Sequence, residues 1–188
     1  DSTLPNEARG RLSAAMLTEL ETALSMAPQR PALVCLHHHP IPMASEWLDD
    51  VGLENAADLW SVLDRHANVR AVLWGHVHQV HDSVRNGVRL LGTPSTCSQF
   101  LPNSAEFAID TLPPGYRTVA LLPSGELMRQ PPLKPVKVKS THNFFNSLMP
   151  SCLRTQPAKT SFNVFINRHV QKQRVVLEKV AYLPKLRL

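Results

Sequence analysis

The 188-residue sequence has no apolar run approaching the roughly 20 residues of a membrane span. It has no basic, apolar leader ending in small residues. Its three cysteines, an odd number at wide spacing, exclude a disulfide framework as the basis of the fold. Cys35 sits inside an apolar run and is expected to pack as a small buried hydrophobe. That usage of cysteine fits a reducing cytoplasm. Internal repeats are absent, and the opening Asp1-Ser2-Thr3-Leu4-Pro5 reads as a segment entered in mid-domain. The length suits one domain with a sizeable core.

Acidic residues are missing from one part of the chain. From Lys137 onward the sole acid is Glu178, set against ten lysines and arginines, and that stretch has no glycine. Residues 1–136 carry more acids than bases, so the net charge of +5 belongs to the tail. Residues 1–130 are read as one domain, 131–136 as a Pro-rich linker, and 137–188 as a basic tail, disordered or non-native. The tail's charges are scattered and show no nucleic-acid motif, so a shifted or foreign reading frame is preferred over a nucleic-acid-binding extension.

What is present is an alternation of elements. Leu12, Met16, Leu17, Leu20, Ala23 and Leu24 recur at helical spacing and predict a helix over 13–26, ended by Pro28 and Pro31. Leu33–Leu36 reads as a buried strand, residues 40–52 as a loop, and Ala56, Leu59, Trp60 and Leu63 as a second helix. Ala71–Trp74 completes a strand–helix–strand unit of parallel character. Asn86-Gly87 marks a hairpin joining 82–85 to 88–91. Phe107–Leu112, Thr118–Leu122 and Glu126–Arg129 are further expected strands. The overall class is α/β.

Five of the nine histidines lie where the two parallel strands open into loops, at His37-His38-His39-Pro40 and Gly75-His76-Val77-His78. Imidazole is the commonest side-chain metal ligand. Strand ends of α/β sheets are where ligand sites collect. Continued strand alternation would put His76 and His78 on one side, able to grip one ion or two adjacent ions. Gly75 would leave room for a ligand. Pro40 biases His39 toward an extended conformation, so alternation sets His38 against His37 and His39. Either His38 is the ligand, or His37 and His39 are. Isolated histidines usually cap a strand and bond a neighbour; this pairing of clusters argues for metal instead.

Leu36-His37-His38-His39-Pro40, Gly75-His76-Val77-His78 and Thr93-Pro94-Ser95-Thr96-Cys97 resemble the calcineurin-like metallophosphoesterases. With Pro114-Gly115-Tyr116-Arg117, the order and spacing are most similar to the bacterial class III cyclic-nucleotide phosphodiesterases of the cyclic-AMP type. The resemblance runs from Asp1 to about Arg129. It implies the C-terminal half of an α/β/β/α sandwich and two metal ions, usually iron, manganese or zinc. It further implies hydrolysis of cyclic AMP to the 5′-nucleotide, with His38 and His76 on the second metal and His78 on the first. The substrate would be a small cyclic nucleotide; neither a membrane nor a nucleic acid is an expected partner.

The family's Asp-x-His, Gly-Asp and Gly-Asn-His motifs do not precede His37, so the family's bridging carboxylate and catalytic histidine are missing. Asp64-Arg65-His66 matches Asp-x-His by letter only, at a helix end. The expectation is the C-terminal half of such an enzyme, inactive alone. Its competitor is a non-catalytic metal-binding or regulatory fragment holding one zinc on three histidines. Trp47, Trp60 and Trp74 are read as packing residues, Arg117 as a solvated strand arginine, and His81 as peripheral. His142 and His169 lie outside the resemblance.

Overall fold

The computed structural model describes residues 1–122 and 124–127, with the backbone of 134–135. The expected tail from 137 onward lies outside the described residues.

Helix α1 spans Ala14–Met26, and the Ser13 hydroxyl caps it by accepting the Met16 N–H at 3.2 Å. Its C-terminal end is closed from elsewhere in the chain. The Asn68 amide donates to the carbonyls of Leu24, Ala27 and Arg30 at 3.3, 3.1 and 3.3 Å. The Leu24 carbonyl is in the last turn of α1, where a helix leaves carbonyls without intrahelical partners, and the amide's two hydrogens are shared among the three acceptors. Strand β1 follows at Ala32–Leu36, then a short helix α2 at Glu46–Asp49, helix α3 at Ala56–Leu63 and strand β2 at Val69–Trp74. Helix α2 stands inside the stretch expected to be loop. Buried Leu48 anchors it, and the Asp49 carboxylate accepts the Met43 N–H at 2.6 Å.

Strands β3 (His81–Arg85) and β4 (Val88–Gly92) form the expected hairpin. Asn86 and Gly87 both take positive φ, 50° and 80°, as a tight turn matched to the strand twist requires. β4 also pairs in parallel with β2, and β2 in parallel with β1, so the sheet order is β1-β2-β4-β3. The strand–helix–strand unit and its parallel pairing are as read from the sequence.

Register places Val34, Leu36, Val72, Trp74, Val88 and Leu90 on one face. They share a core with Leu24 of α1 and Leu59, Val62 and Leu63 of α3. The opposite face is uneven. Ala71 and Leu91 are buried at its middle, whereas Val84 is 68% exposed and Cys35 is exposed. The expectation of a buried Cys35 therefore fails. The run is apolar on both faces, but β1 is an edge strand and Cys35 points away from the helices.

Beyond β4 the ladder is sparser than expected. Residues 107–112 and 118–122 are not strands: Ile109 and Leu121 each make a single bridge, to Phe100 and Leu127. The Asp110 carboxylate takes the Leu112 N–H at 3.3 Å, and Pro113 and Pro114 have none to offer. Of the strand expected over Glu126–Arg129, Met128 and Arg129 lie outside the described residues. A two-residue pair, β5 (Gly115–Tyr116) with β6 (Lys134–Pro135), adds a small antiparallel ladder, and β6 falls in the segment read as a linker.

Candidate metal centre

The last register pair of the parallel strands β1 and β2 is Leu36 opposite Trp74. Parallel pairing puts both C-terminal ends on one edge, so His37–His39 and Gly75–His78 emerge side by side. The backbone leaves extended geometry at once. His76 and His78 take φ of 59° and 47°, and the Val77 N–H bonds back to the Gly75 carbonyl at 2.5 Å. Left-handed backbone costs a residue with a side chain, and it persists where the surroundings enforce it.

This turn replaces strand alternation at His76 and His78, and His78 is not part of the closest histidine group. The His76 ring lies at the centre of the upstream triplet, with centroids 5.0 Å from His37, 4.8 Å from His38 and 5.8 Å from His39. All three histidines of that triplet thus reach it, since bends replace the extended chain that would have split them. His78 instead stacks on Phe100, centroids 4.2 Å apart and planes at 14°. The ligand atoms of His37, His38 and His76 lie within 4.8 Å of one another. No carboxylate joins that group among the described residues.

The hydrogen bonds distinguish the rings. His37 Nε2 faces His76 Nδ1 at 3.1 Å, and buried His76 Nε2 has no partner. His38 is engaged at both nitrogens, by the Ser2 hydroxyl at 2.7 Å and the Ala8 carbonyl at 3.1 Å. His39 is buried with the Asp49 carboxylate 3.6 Å from its Nε2. Burial holds all of these rings below the ordinary histidine pKa of 6.5: His38, His39 and His78 to about 4, and His76 to about 2, with His37 also lowered. The neighbouring histidines push the same way on His76. Neutral imidazoles keep the lone pair a metal needs.

A Cβ at Gly75 would make only ordinary contact with the protein, 3.7 Å from His37 Nδ1. At Gly10 a Cβ would stand 2.2 Å from His38 Nδ1, so the backbone approaches that ring where no side chain fits. Thr93 borders the site, its hydroxyl donating to the Trp74 carbonyl at 2.8 Å. Arg117 is not solvated; its side chain is 8% exposed and donates to the His81 carbonyl at 2.9 Å. Asp64 closes α3 and pairs with Arg85, away from the cluster. Trp60 donates to Pro40 and lies under Arg85, Trp47 packs on Phe100 and Phe107, and Trp74 is buried, all as packing residues. Ser2, Ala8, Gly10 and Asp49 carried no recognisable spacing, and sequence reasoning missed them.

No protein-family model matches the chain. Curated proteins do. It is 43% identical over 127 residues to the 3′,5′-cyclic adenosine monophosphate phosphodiesterase CpdA of Pseudomonas aeruginosa, covering 68% of this chain and 47% of that protein. Against CpdA of Escherichia coli K12 the identity is 46% over 127 residues, 68% of this chain and 46% of the relative. A 3′,5′-cyclic-nucleotide phosphodiesterase of Nostoc is 43% identical over 116 residues, 62% of this chain and 44% of its own length. Among solved structures, a dimetal phosphatase from Danio rerio aligns with a TM-score of 0.43 at 23% identity, over 57% of this chain and 32% of that one. By sequence the chain is similar to bacterial 3′,5′-cyclic-nucleotide phosphodiesterases, and it spans about half the length of the curated relatives it matches.

Proposed function

We propose that this chain is the imidazole-bearing, C-terminal half of a metal-dependent phosphodiesterase that hydrolyses 3′,5′-cyclic AMP to 5′-AMP. The observation carrying this reading is the group His37, His38 and His76 at the joined ends of β1 and β2, in a chain this similar to cyclic-AMP phosphodiesterases. The residues fit one ion: His76 has an unpartnered, buried Nε2, and its Nδ1 stands 3.1 Å from His37 Nε2. They do not by themselves fit a two-ion centre, since the group holds no bridging carboxylate. The resemblance named His38, His76 and His78 as ligands. Hydrogen bonding favours His37 over His38, with His78 as the remaining imidazole.

Metal ions in such a centre, whether iron, manganese or zinc, neutralise phosphate oxygens and supply hydroxide near neutral pH. This chain's part is to present neutral imidazoles from a fixed turn. Strained backbone at His76 and His78 and the flanking sheet set their directions before anything binds. Free cysteines at 35 and 97 suit a reducing cytoplasm. No helix among the described residues is long and apolar enough to cross a membrane.

A second reading, a non-catalytic fragment with one zinc, is favoured by the all-imidazole composition of the group. Assays of the purified chain with manganese, iron or zinc separate these. No cyclic-AMP turnover is expected from the chain alone. Turnover is expected once a carboxylate-bearing N-terminal segment of a relative is joined to it, and is lost on His76→Ala. Turnover by the chain alone, abolished by His76→Ala, overturns the half-site reading. One zinc bound per chain, with an inactive fusion, selects the second.

A further inference from the structure

We infer that His38 is a positioning residue, not a ligand: it clasps the N-terminal loop Ser2–Gly10 onto the metal group and so fixes the peptide that presents His37. The inference rests on the reading of His37 and His76 as ligands. An imidazole has two ring nitrogens in its plane and no third site. The Ala8 carbonyl can only accept, so the nitrogen facing it, Nε2, carries the proton. Nδ1 then has the lone pair, and the Ser2 hydroxyl donates to it at 2.7 Å. Both positions are used inside the chain.

The loop around the ring is itself closed. The Arg11 N–H donates to the Ser2 carbonyl at 2.9 Å, and Thr3 bridges Gly10. Gly10 is tied onward, donating to the Gly52 carbonyl at 3.0 Å and accepting from the Glu54 N–H at 2.8 Å. Gly10 passes so near the ring that no side chain fits there. Ser2 is 2% exposed, so a metal on Nδ1 would strand a buried hydroxyl, while a metal on Nε2 would strand the Ala8 carbonyl. His37 and His76 bond each other, so a metal that displaces that 3.1 Å contact strands no group outside the pair. The His38 ring lies against the same group, its centroid 4.9 Å from that of His37 and 4.8 Å from that of His76, but the nitrogen that reaches the group is already bonded within the chain.

The test uses the full chain with ¹⁵N-labelled histidine, followed by NMR during titration with Zn²⁺ and then with ¹¹³Cd²⁺. His37 and His76 ring nitrogens are expected to shift and to couple to cadmium, while His38 keeps its Nε2–H form without coupling. Glutamine at this position retains one donor and one acceptor but ligates metal poorly. His38→Gln should therefore bind one Zn²⁺ per chain with affinity lowered no more than about tenfold, the low end of what losing an orienting group costs. His38→Leu, which loses both bonds, should bind more weakly than His38→Gln. Cadmium coupling at His38, or a His38→Gln loss as large as that of His37→Ala, overturns the inference. Unchanged zinc affinity in His37→Ala overturns the ligand reading on which it rests.

Discussion

At the scale of single residues, the chain's functional content is a set of histidines kept neutral by burial. This has a sign. Unfolded, each ring takes a proton near pH 6.5; folded, His38, His39 and His78 do so only near 4 and His76 near 2. Stability is therefore complete above pH 6.5 and falls as pH drops from there, by up to about 1.4 kcal/mol per pH unit for each fully buried ring. Asp64 and Asp82 are held below their usual range by Arg85 and Arg89, so their contribution is lost only below about pH 4. The urea midpoint of the metal-free chain is expected to be lower at pH 5.5 than at pH 7.5; an equal or higher midpoint at pH 5.5 rules the account out. The histidine clusters were legible because His-x-His and His-His-His after apolar runs are rare patterns. Their geometry was not. Whether His76 shares a side with His78 depends on two left-handed residues that no period encodes, and the Ser2 partner of His38 is far away in sequence.

At the scale of elements, legibility followed locality. Helix α1, the parallel pair β1–β2 and the β3–β4 hairpin each announce themselves through spacing or through Asn86-Gly87. The strands expected over 107–112 and 118–122 did not form, because alternation cannot show where prolines and an aspartate divert backbone donors. The join between α1 and β2 was equally invisible. One amide, Asn68, reaches carbonyls of the helix end and of the turn after it, some forty residues earlier. Asn68→Ala strands the Leu24 carbonyl in a buried setting and removes the bonds to the turn, and a loss of about 1–3 kcal/mol is expected by chemical denaturation. A loss below about 0.5 kcal/mol would show that the helix end is satisfied without it.

At the scale of the whole molecule, the sheet is clothed by helices on one face and unevenly on the other. Cys35 is where this shows chemically. A maleimide should label Cys35 in the native chain, yet more slowly than in urea, because its surroundings push the thiol pKa up and leave little thiolate. Equal native labelling of the wild type and Cys35→Ser would show that this face is covered. The sheet's connectivity also orders events in time. The β3–β4 hairpin closes across two residues, whereas the Ser2–His38 bond must bring together positions 36 residues apart. Loop-closure entropy makes the near contact quick and the distant one slow. The clasp over the histidines thus locks after the hairpin during folding, so amide exchange and proteolytic nicking should reach Ser2–Gly10 while the hairpin is still intact.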